Sequence, residues 1–302
     1  MSDSAPLKVA TRKSLLALAQ SRAWMAALKA KTGIEVEEVQ VTTTGDRVQD
    51  RQLIEIGGKG LFIKEIEEAM LAGEADAAVH SMKDVPAALA PGLVIACVPL
   101  REDPRDVIHT RTGCSFAELP SGSKVGTGSL RRSVQLKALR PDLEFVPIRG
   151  NIDTRLRRVT EGVVDAVVLA YAGLRRIGRG EAATQVFSTA ECLPAVGQGA
   201  LAIEIRQSDA RSTALVRALD DVETALMTAA ERGVLEAVEG NCQIPVAAYA
   251  ERQGDELLLR ALLAEPDGSR LRRREERVAW PATNAAARTL GYRLGQALRI
   301  QP

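Results

Sequence analysis

Two stretches of this 302-residue chain carry residues in the same order: a glycine, two further residues, Asp-Ala, and then an apolar run. In Gly73-Glu74-Ala75-Asp76-Ala77-Ala78-Val79 the glycine ends a helical stretch from Leu61 to Leu71. In Gly162-Val163-Val164-Asp165-Ala166-Val167-Val168-Leu169 it ends one containing Thr154 to Thr160. Each apolar run reads as a buried strand. Chance can produce so short a match; the alternative is a pair of similar α/β lobes. Strands alternate with helices throughout residues 7 to 205, which favours the pair, because parallel strands need crossover helices to join them.

The first lobe opens with a short strand, Leu7 to Ala10, and a helix over residues 12–31, after Thr11, with Leu15, Leu18, Ala19, Ala23, Ala26 and Ala27 at helical spacing and Gly33 as its C-cap. Ile34 to Thr42 reads as a second strand, and the glycine-framed stretch from Gly45 to Gly60 is the candidate lid. After about residue 220 the pattern changes. A helix from Glu223 to Val238, apolar along Leu226, Ala230, Val234 and Ala237, precedes strands at 245–251, 257–264 and 270–278 and a helix from about Thr283 to Leu298. The expected fold class is therefore α/β, with two lobes and a small C-terminal α+β domain built on an antiparallel sheet. Its expected domains are 1–99 with 200–217, 104–194, and 222–302, since a chain of this length exceeds what one core organises. The proline-bearing stretches Pro99 to Pro104 and Cys192-Leu193-Pro194 are the expected crossings between the lobes.

Eight arginines, Arg131, Arg132, Arg149, Arg155, Arg157, Arg158, Arg175 and Arg176, fall in one stretch of a chain whose net charge is only +1. Such local concentration points to a defined anion site rather than a diffuse basic surface. A nucleic-acid binder would use arginines too, but near-neutral charge and 3% aromatic content argue against it. Met1 to Pro6 lacks a basic region followed by an apolar stretch, and no segment reaches membrane-spanning length, so the expectation is a cytoplasmic protein without a membrane partner. Four scattered cysteines without a CxxC pair, and only His80 and His109, point to no metal site.

In Val125-Gly126-Thr127-Gly128-Ser129-Leu130-Arg131-Arg132 a strand, a glycine loop and a helix start bring backbone N–H groups and two guanidinium forks together. It reads as a carboxylate site, against the plainer possibility of a solvated helix start. Arg149-Gly150-Asn151-Ile152-Asp153-Thr154-Arg155 reads as a second arginine-bearing helix start, with Arg157 and Arg158 turned to solvent. Lys83 and Asp84 follow a buried strand directly, where open α/β sheets bind ligands, and form either an acid/base pair or a surface ion pair; His80 reads as a satisfied core-edge histidine. Cys242 lies in the turn Glu239-Gly240-Asn241-Cys242 between a helix and a strand, exposed enough to react, whereas Cys97 sits inside a strand and reads as inert.

These segments, together with Arg12-Lys13-Ser14-Leu15-Leu16-Ala17, Gly57-Gly58-Lys59-Gly60-Leu61-Phe62, Ala78 to Pro86, Arg101-Glu102-Asp103-Pro104-Arg105-Asp106 and Leu193-Pro194-Ala195-Val196-Gly197-Gln198-Gly199, resemble the porphobilinogen deaminase family, in order from Val9 to about Gly268. The resemblance implies two lobes like those of periplasmic binding proteins and a third domain carrying the cofactor cysteine. It implies a monomeric transferase of tetrapyrrole biosynthesis, a hydroxymethylbilane synthase, that condenses four porphobilinogen molecules with loss of ammonia. A dipyrromethane cofactor, attached by a thioether to Cys242, primes the chain. By the same resemblance Asp84 stabilises positive charge developing on pyrrole nitrogen, with Lys83 and Arg149 also at the reacting centre. Lys83, Asp84, Ser129, Arg131, Arg132 and Arg155 hold the cofactor, and Arg12, Ser14, Arg149, Arg155 and Arg176 meet the substrate. A non-catalytic two-lobed polycarboxylate binder would share the lobes and arginines but has no use for Cys242. Three positions depart from the family pattern: Leu15 for a usual proline, Gly128 for a common serine, and Asn241 for a second glycine.

Overall fold

The computed structural model describes residues 5–43, 63–238 and 244–300. The candidate lid from Gly45 to Gly60 and the Cys242 turn, with Asn241, lie outside the described residues. In chain order the elements are β1 (Leu7–Arg12), α1 (Leu15–Thr32), β2 (Val36–Val41), α2 (Lys64–Leu71), β3 (Ala77–Ser81), β4 (Leu93–Cys97), β5 (Asp106–Thr110), β6 (Lys124–Gly126), α3 (Leu130–Leu139), β7 (Glu144–Val146), α4 (Ile152–Thr160), β8 (Ala166–Ala170), α5 (Tyr171–Arg176) and β9 (Gln185–Val186). There follow β10 (Leu201–Arg206), α6 (Ala210–Val216), α7 (Val222–Ala237), β11 (Val246–Gln253), β12 (Glu256–Leu263), β13 (Arg272–Ala279) and α8 (Asn284–Ile300).

The repeated sequence pattern has a physical basis. Gly73 and Gly162 take left-handed φ values of 76° and 75° just past the ends of α2 and α4. In one copy Gly73 N–H donates to Met70 and Glu74 N–H to Ala69; in the other, Gly162 donates to Val159 and Val163 to Arg158. Both are Schellman closures, which need a residue that accepts positive φ cheaply. The aspartate then pins the next strand to its parallel neighbour. Asp76 accepts the Lys8 N–H at 3.0 Å and Asp165 accepts the Lys124 N–H at 2.9 Å. Arg206 and Arg111 take the second oxygens of these carboxylates, at 2.9 and 3.0 Å.

The two large sheets have matching strand orders, β2-β1-β3-β10-β4 and β7-β6-β8-β5-β9. Crossover helices join the parallel pairs β1/β2, β1/β3, β6/β7 and β6/β8, as the alternation predicts. Both sheets are nonetheless mixed, because β10 runs antiparallel to β3 and β5 antiparallel to β8. An apolar strand buried on both faces reads the same in either direction, so pattern alone does not reveal this. The chain forms two compact units, residues 1–101 with 200–225 and residues 102–199 with 226–302. The second passage thus falls at 199–200 rather than at Cys192-Leu193-Pro194. That stretch is fixed inside the second unit, where Cys192 is buried and the Leu193 carbonyl accepts from Arg131 and Gln135 at 2.6 and 3.1 Å.

In the second unit, β11, β12 and β13 form an antiparallel sheet packed on α7 and α8 through Val234, Val246, Leu257, Leu259, Leu294 and Leu298. No helix among the described residues is long and apolar enough to cross a membrane.

Helix α1 begins later than its apolar spacing indicates. Thr11 belongs to β1 and its hydroxyl is taken by Ser21 at 2.7 Å, so Ser14 is the N-cap, accepting the Ala17 N–H at 3.3 Å. This puts Leu15 at the first helical position, 53% exposed, after a residue with φ −68° and ψ 147°. That backbone suits a following proline, and the first helical N–H has no intrahelical partner to lose. Leu15→Pro is therefore expected to fold normally and gain roughly 0.4–1 kcal/mol through a stiffer unfolded chain. A lowered melting temperature would contradict this account of α1.

Candidate functional site

The first unit presents one cluster of expected residues at the end of β3. Met82 and Val85 are sunk into a core with Ile63, Val98, Ala200 and Ala202, and the Met82 N–H donates to the Ala200 carbonyl at 3.0 Å. A single 3-10 turn, Met82–Asp84, lies between these anchors and leaves Lys83 and Asp84 exposed. Asp84 lines a pocket with Arg12, Ser14, Gln20, His80 and Ser81. Of the expected residues in this unit, Arg12, Ser14 and Asp84 thus share one cavity. Ser81 donates to Gln20 Oε1 at 3.0 Å and helps fix its wall.

Behind this pocket is a buried titratable group that the apolar runs conceal. His80 Nε2 meets Glu204 Oε2 at 2.9 Å, with the residues 6% and 1% exposed. His80 is therefore a satisfied core-edge histidine, as expected. Glu204 Oε1 is buried without a donor, and the carboxyl of Glu67 lies against it while accepting the Ala90 N–H at 3.1 Å. Burial, and then the Glu204 carboxylate, raise the Glu67 pKa, against the Ala90 N–H and His80, which lower it. A folded-state pKa above the unfolded one means that the fold favours protonated Glu67. Its stabilisation is complete below the unfolded value and is lost as pH rises through the folded one. Glu67→Gln keeps an acceptor for Ala90 and offers Glu204 a permanent donor, a hydrogen bond of about 1 kcal/mol. The variant is expected to melt about 2–4 °C above the parent at pH 8, with the gap closing toward pH 4. A gap that widens as pH falls would contradict the assignment.

In the second unit, the strand–loop–helix of β6 and α3 places Arg131 and Arg132 in the first turn of the helix, 5% and 6% exposed. They are not a solvated helix start. Arg131 Nη1 donates to Asp106 Oδ2 at 2.7 Å, and Arg132 Nε donates to Asp106 Oδ1 at 2.9 Å. Burial alone would push the Asp106 pKa up, but the two guanidinium charges outweigh it and hold the carboxylate far below its usual range. Ser129, the N-cap, makes no side-chain bond to its own helix. A side chain at Gly128 would meet the Ile148 carbonyl at 3.1 Å, so the serine common there requires that carbonyl to give by a few tenths of an ångström.

Asn151 caps α4 by accepting the Thr154 N–H at 2.8 Å, which sets Arg155 one turn in, its Nε on the Gly150 carbonyl at 2.9 Å. Burial and then the cations of Arg132 and Arg149 lower the Arg155 pKa to about 10. Neither Arg149 nor Arg155 has a carboxylate partner among the described residues. Arg176 donates to the Gly199 carbonyl at 2.7 Å, and burial brings its pKa to about 10 against the pull of Glu102. Arg157 and Arg158 are exposed, as expected. Burial pushes the thiols of Cys97 and Cys192 up to about 12, which leaves them unreactive at neutral pH.

Asp106, Gln198 and Glu204 escape a reading based on patterns. Each is marked by its setting, a carboxylate opening a strand before Val107 and Ile108 for Asp106, a carboxylate inside the apolar strand Leu201–Arg206 for Glu204, and a polar side chain between two glycines for Gln198.

Two family models match the chain, "Porphobilinogen deaminase, dipyromethane cofactor binding domain" over residues 7–214 and "Porphobilinogen deaminase, C-terminal domain" over residues 225–299. A porphobilinogen deaminase of Sorangium cellulosum is 57% identical over 294 residues, covering 97% of this chain and 98% of that one. The Syntrophobacter fumaroxidans porphobilinogen deaminase is 48% identical over 293 residues, covering 97% and 94%. Among solved structures, the methionine binding protein MetQ matches with a TM-score of 0.45 and 16% identity, covering 72% of this chain and 91% of that one. The chain belongs to the porphobilinogen deaminase family.

Proposed function

We infer that this chain condenses four porphobilinogen molecules head to tail, with release of ammonia, into the linear tetrapyrrole hydroxymethylbilane. The observation that carries this reading to the residues is the surplus of positive charge beside Arg132: burial and then the cations of Arg132 and Arg149 depress the Arg155 pKa, and no carboxylate of the described residues answers Arg149 or Arg155. A ligand bearing several carboxylates supplies the missing charge, and a dipyrromethane with its acetate and propionate groups fits that donor set. When bound, the dipyrromethane provides the free pyrrole carbon from which the product grows.

The chain's own residues then divide the work. Arg131, Arg132 and Arg155, with Ser129 and Lys83, hold the cofactor carboxylates, and Cys242 is the point of attachment through its sulfur. Arg12, Ser14, Arg149 and Arg176 orient the carboxylates of incoming substrate, each charge-assisted bond contributing about 1.5–3 kcal/mol. Asp84, exposed at the pocket shared with Arg12 and Ser14, places a negative charge where the substrate pyrrole nitrogen becomes positive as ammonia departs. We also propose that residues 1–99 with 200–217, 104–194 and 222–302 act as three domains, the last presenting Cys242. In this reading the protein is a cytoplasmic monomer that engages neither nucleic acid nor membrane. Incubation with porphobilinogen tests the activity: one ammonia should appear per porphobilinogen consumed, with hydroxymethylbilane as product. Unchanged porphobilinogen would contradict it.

A further inference from the structure

Asp106 is fully buried at the start of β5, and both of its oxygens are saturated. Oδ2 accepts from Arg131 Nη1 at 2.7 Å and from the Cys192 thiol at 3.3 Å. Oδ1 accepts from Arg132 Nε at 2.9 Å and Gln198 Nε2 at 2.8 Å, and Arg132 Nη2 stands 2.8 Å from it. Gln198 is itself held, its Nε2 also donating to the Pro104 carbonyl at 2.7 Å. With Nε and Nη2 of Arg132 on one oxygen and Nη1 on the Val168 carbonyl at 3.2 Å, the plane of that guanidinium is set by the protein alone. One carboxylate thus answers two guanidinium groups, those of Arg131 and Arg132, and the Arg132 cation still acts on Arg155. Packing alone gives no reason for this arrangement, because apolar side chains fill such a space without the desolvation cost of buried ions.

We propose that Asp106 is the positioning residue of the carboxylate site: it fixes the direction of the Arg131 and Arg132 N–H groups before a ligand arrives, offsets only part of their charge, and is itself locked by Gln198. The proposal rests on the reading that Arg131 and Arg132 hold the cofactor carboxylates. Preorganised donors bind more tightly than donors that must first be ordered, so loss of the anchor should appear as loss of bound dipyrrole.

Four variants decide it, each measured for dipyrrole-loaded fraction by intact mass and for melting temperature: Asp106→Asn, Gln198→Leu, Arg132→Lys and, as a stability control, Val125→Ala in β6. Asp106→Asn and Arg132→Lys are expected to lower the loaded fraction at least tenfold, Gln198→Leu severalfold, and Val125→Ala not at all, although it melts earlier. Full loading of Arg132→Lys would remove the underlying reading. Loss in Arg132→Lys with full loading of Asp106→Asn and Gln198→Leu would overturn the proposal and leave that reading intact. Loading that falls only as far as it does in a control of equal melting temperature would make Asp106 merely structural. Should Asp106→Asn fail to fold, Gln198→Leu, which keeps both arginine–carboxylate pairs, decides alone.

Discussion

Asp84→Asn is expected to lower kcat by about 10²–10³ while the protein folds normally and keeps its dipyrrole. The amide preserves size and some hydrogen bonding but carries no charge to set against the cation developing on pyrrole nitrogen, so the loss falls on the transition state and not on binding. The turn that carries Asp84 is held by Met82 and Val85 in the core, and the exposed side chain between them contributes little to that packing. A stability effect is accordingly not expected. Asp84→Glu keeps the charge but moves it by one methylene and should retain more activity. Turnover by Asp84→Asn within a few-fold of the parent would reduce Asp84 to a surface charge.

Gly291→Leu should produce the largest loss of stability. Helices α7 and α8 cross so closely that a Cβ on Gly291 would collide with the Ala230 carbonyl oxygen, and one on Gly233 with that of Arg288. Backbone atoms cannot rotate out of the way as a side chain can. The helices must separate, exposing the contacts of Ala230, Val234, Ala287, Leu294 and Leu298 that seat them on the antiparallel sheet. Overpacking on this scale costs more than about 4 kcal/mol, against a total stability of roughly 5–15 kcal/mol. Since α7 leads into the Cys242 turn, dipyrrole loading should fail with the fold. A thermal melt within about 2 °C of the parent would show that the crossing opens without cost.

The sequence discloses most of what is written in backbone chemistry. Gly73 and Gly162 mark the ends of α2 and α4 because only a residue tolerant of positive φ closes a helix in that way, and Asp76 and Asp165 recur because each binds an N–H near the start of a neighbouring strand. The directions of β5 and β10 are hidden, since Asp106–Thr110 and Leu201–Arg206 are buried runs whose pairing depends on chain crossings distant in sequence. The site divides in the same manner. Glycine loops and caps announce Arg131, Arg132 and Arg155, and the end of β3 announces Asp84. The partner that fixes the first two, Asp106, is separated from them by more than a strand and a loop, and a carboxylate opening an apolar run signals burial without naming its partner.

The central claim is that this chain carries a dipyrrole on Cys242, and intact mass with peptide mapping tests it most directly. Protein purified after expression should be heavier than its sequence by one dipyrromethane, with the added mass confined to the peptide containing Cys242. Cys242→Ser should fold and show no added mass, because a hydroxyl is a far weaker nucleophile than a thiolate. An active protein of unmodified mass, or an adduct that persists in Cys242→Ser, would contradict the account.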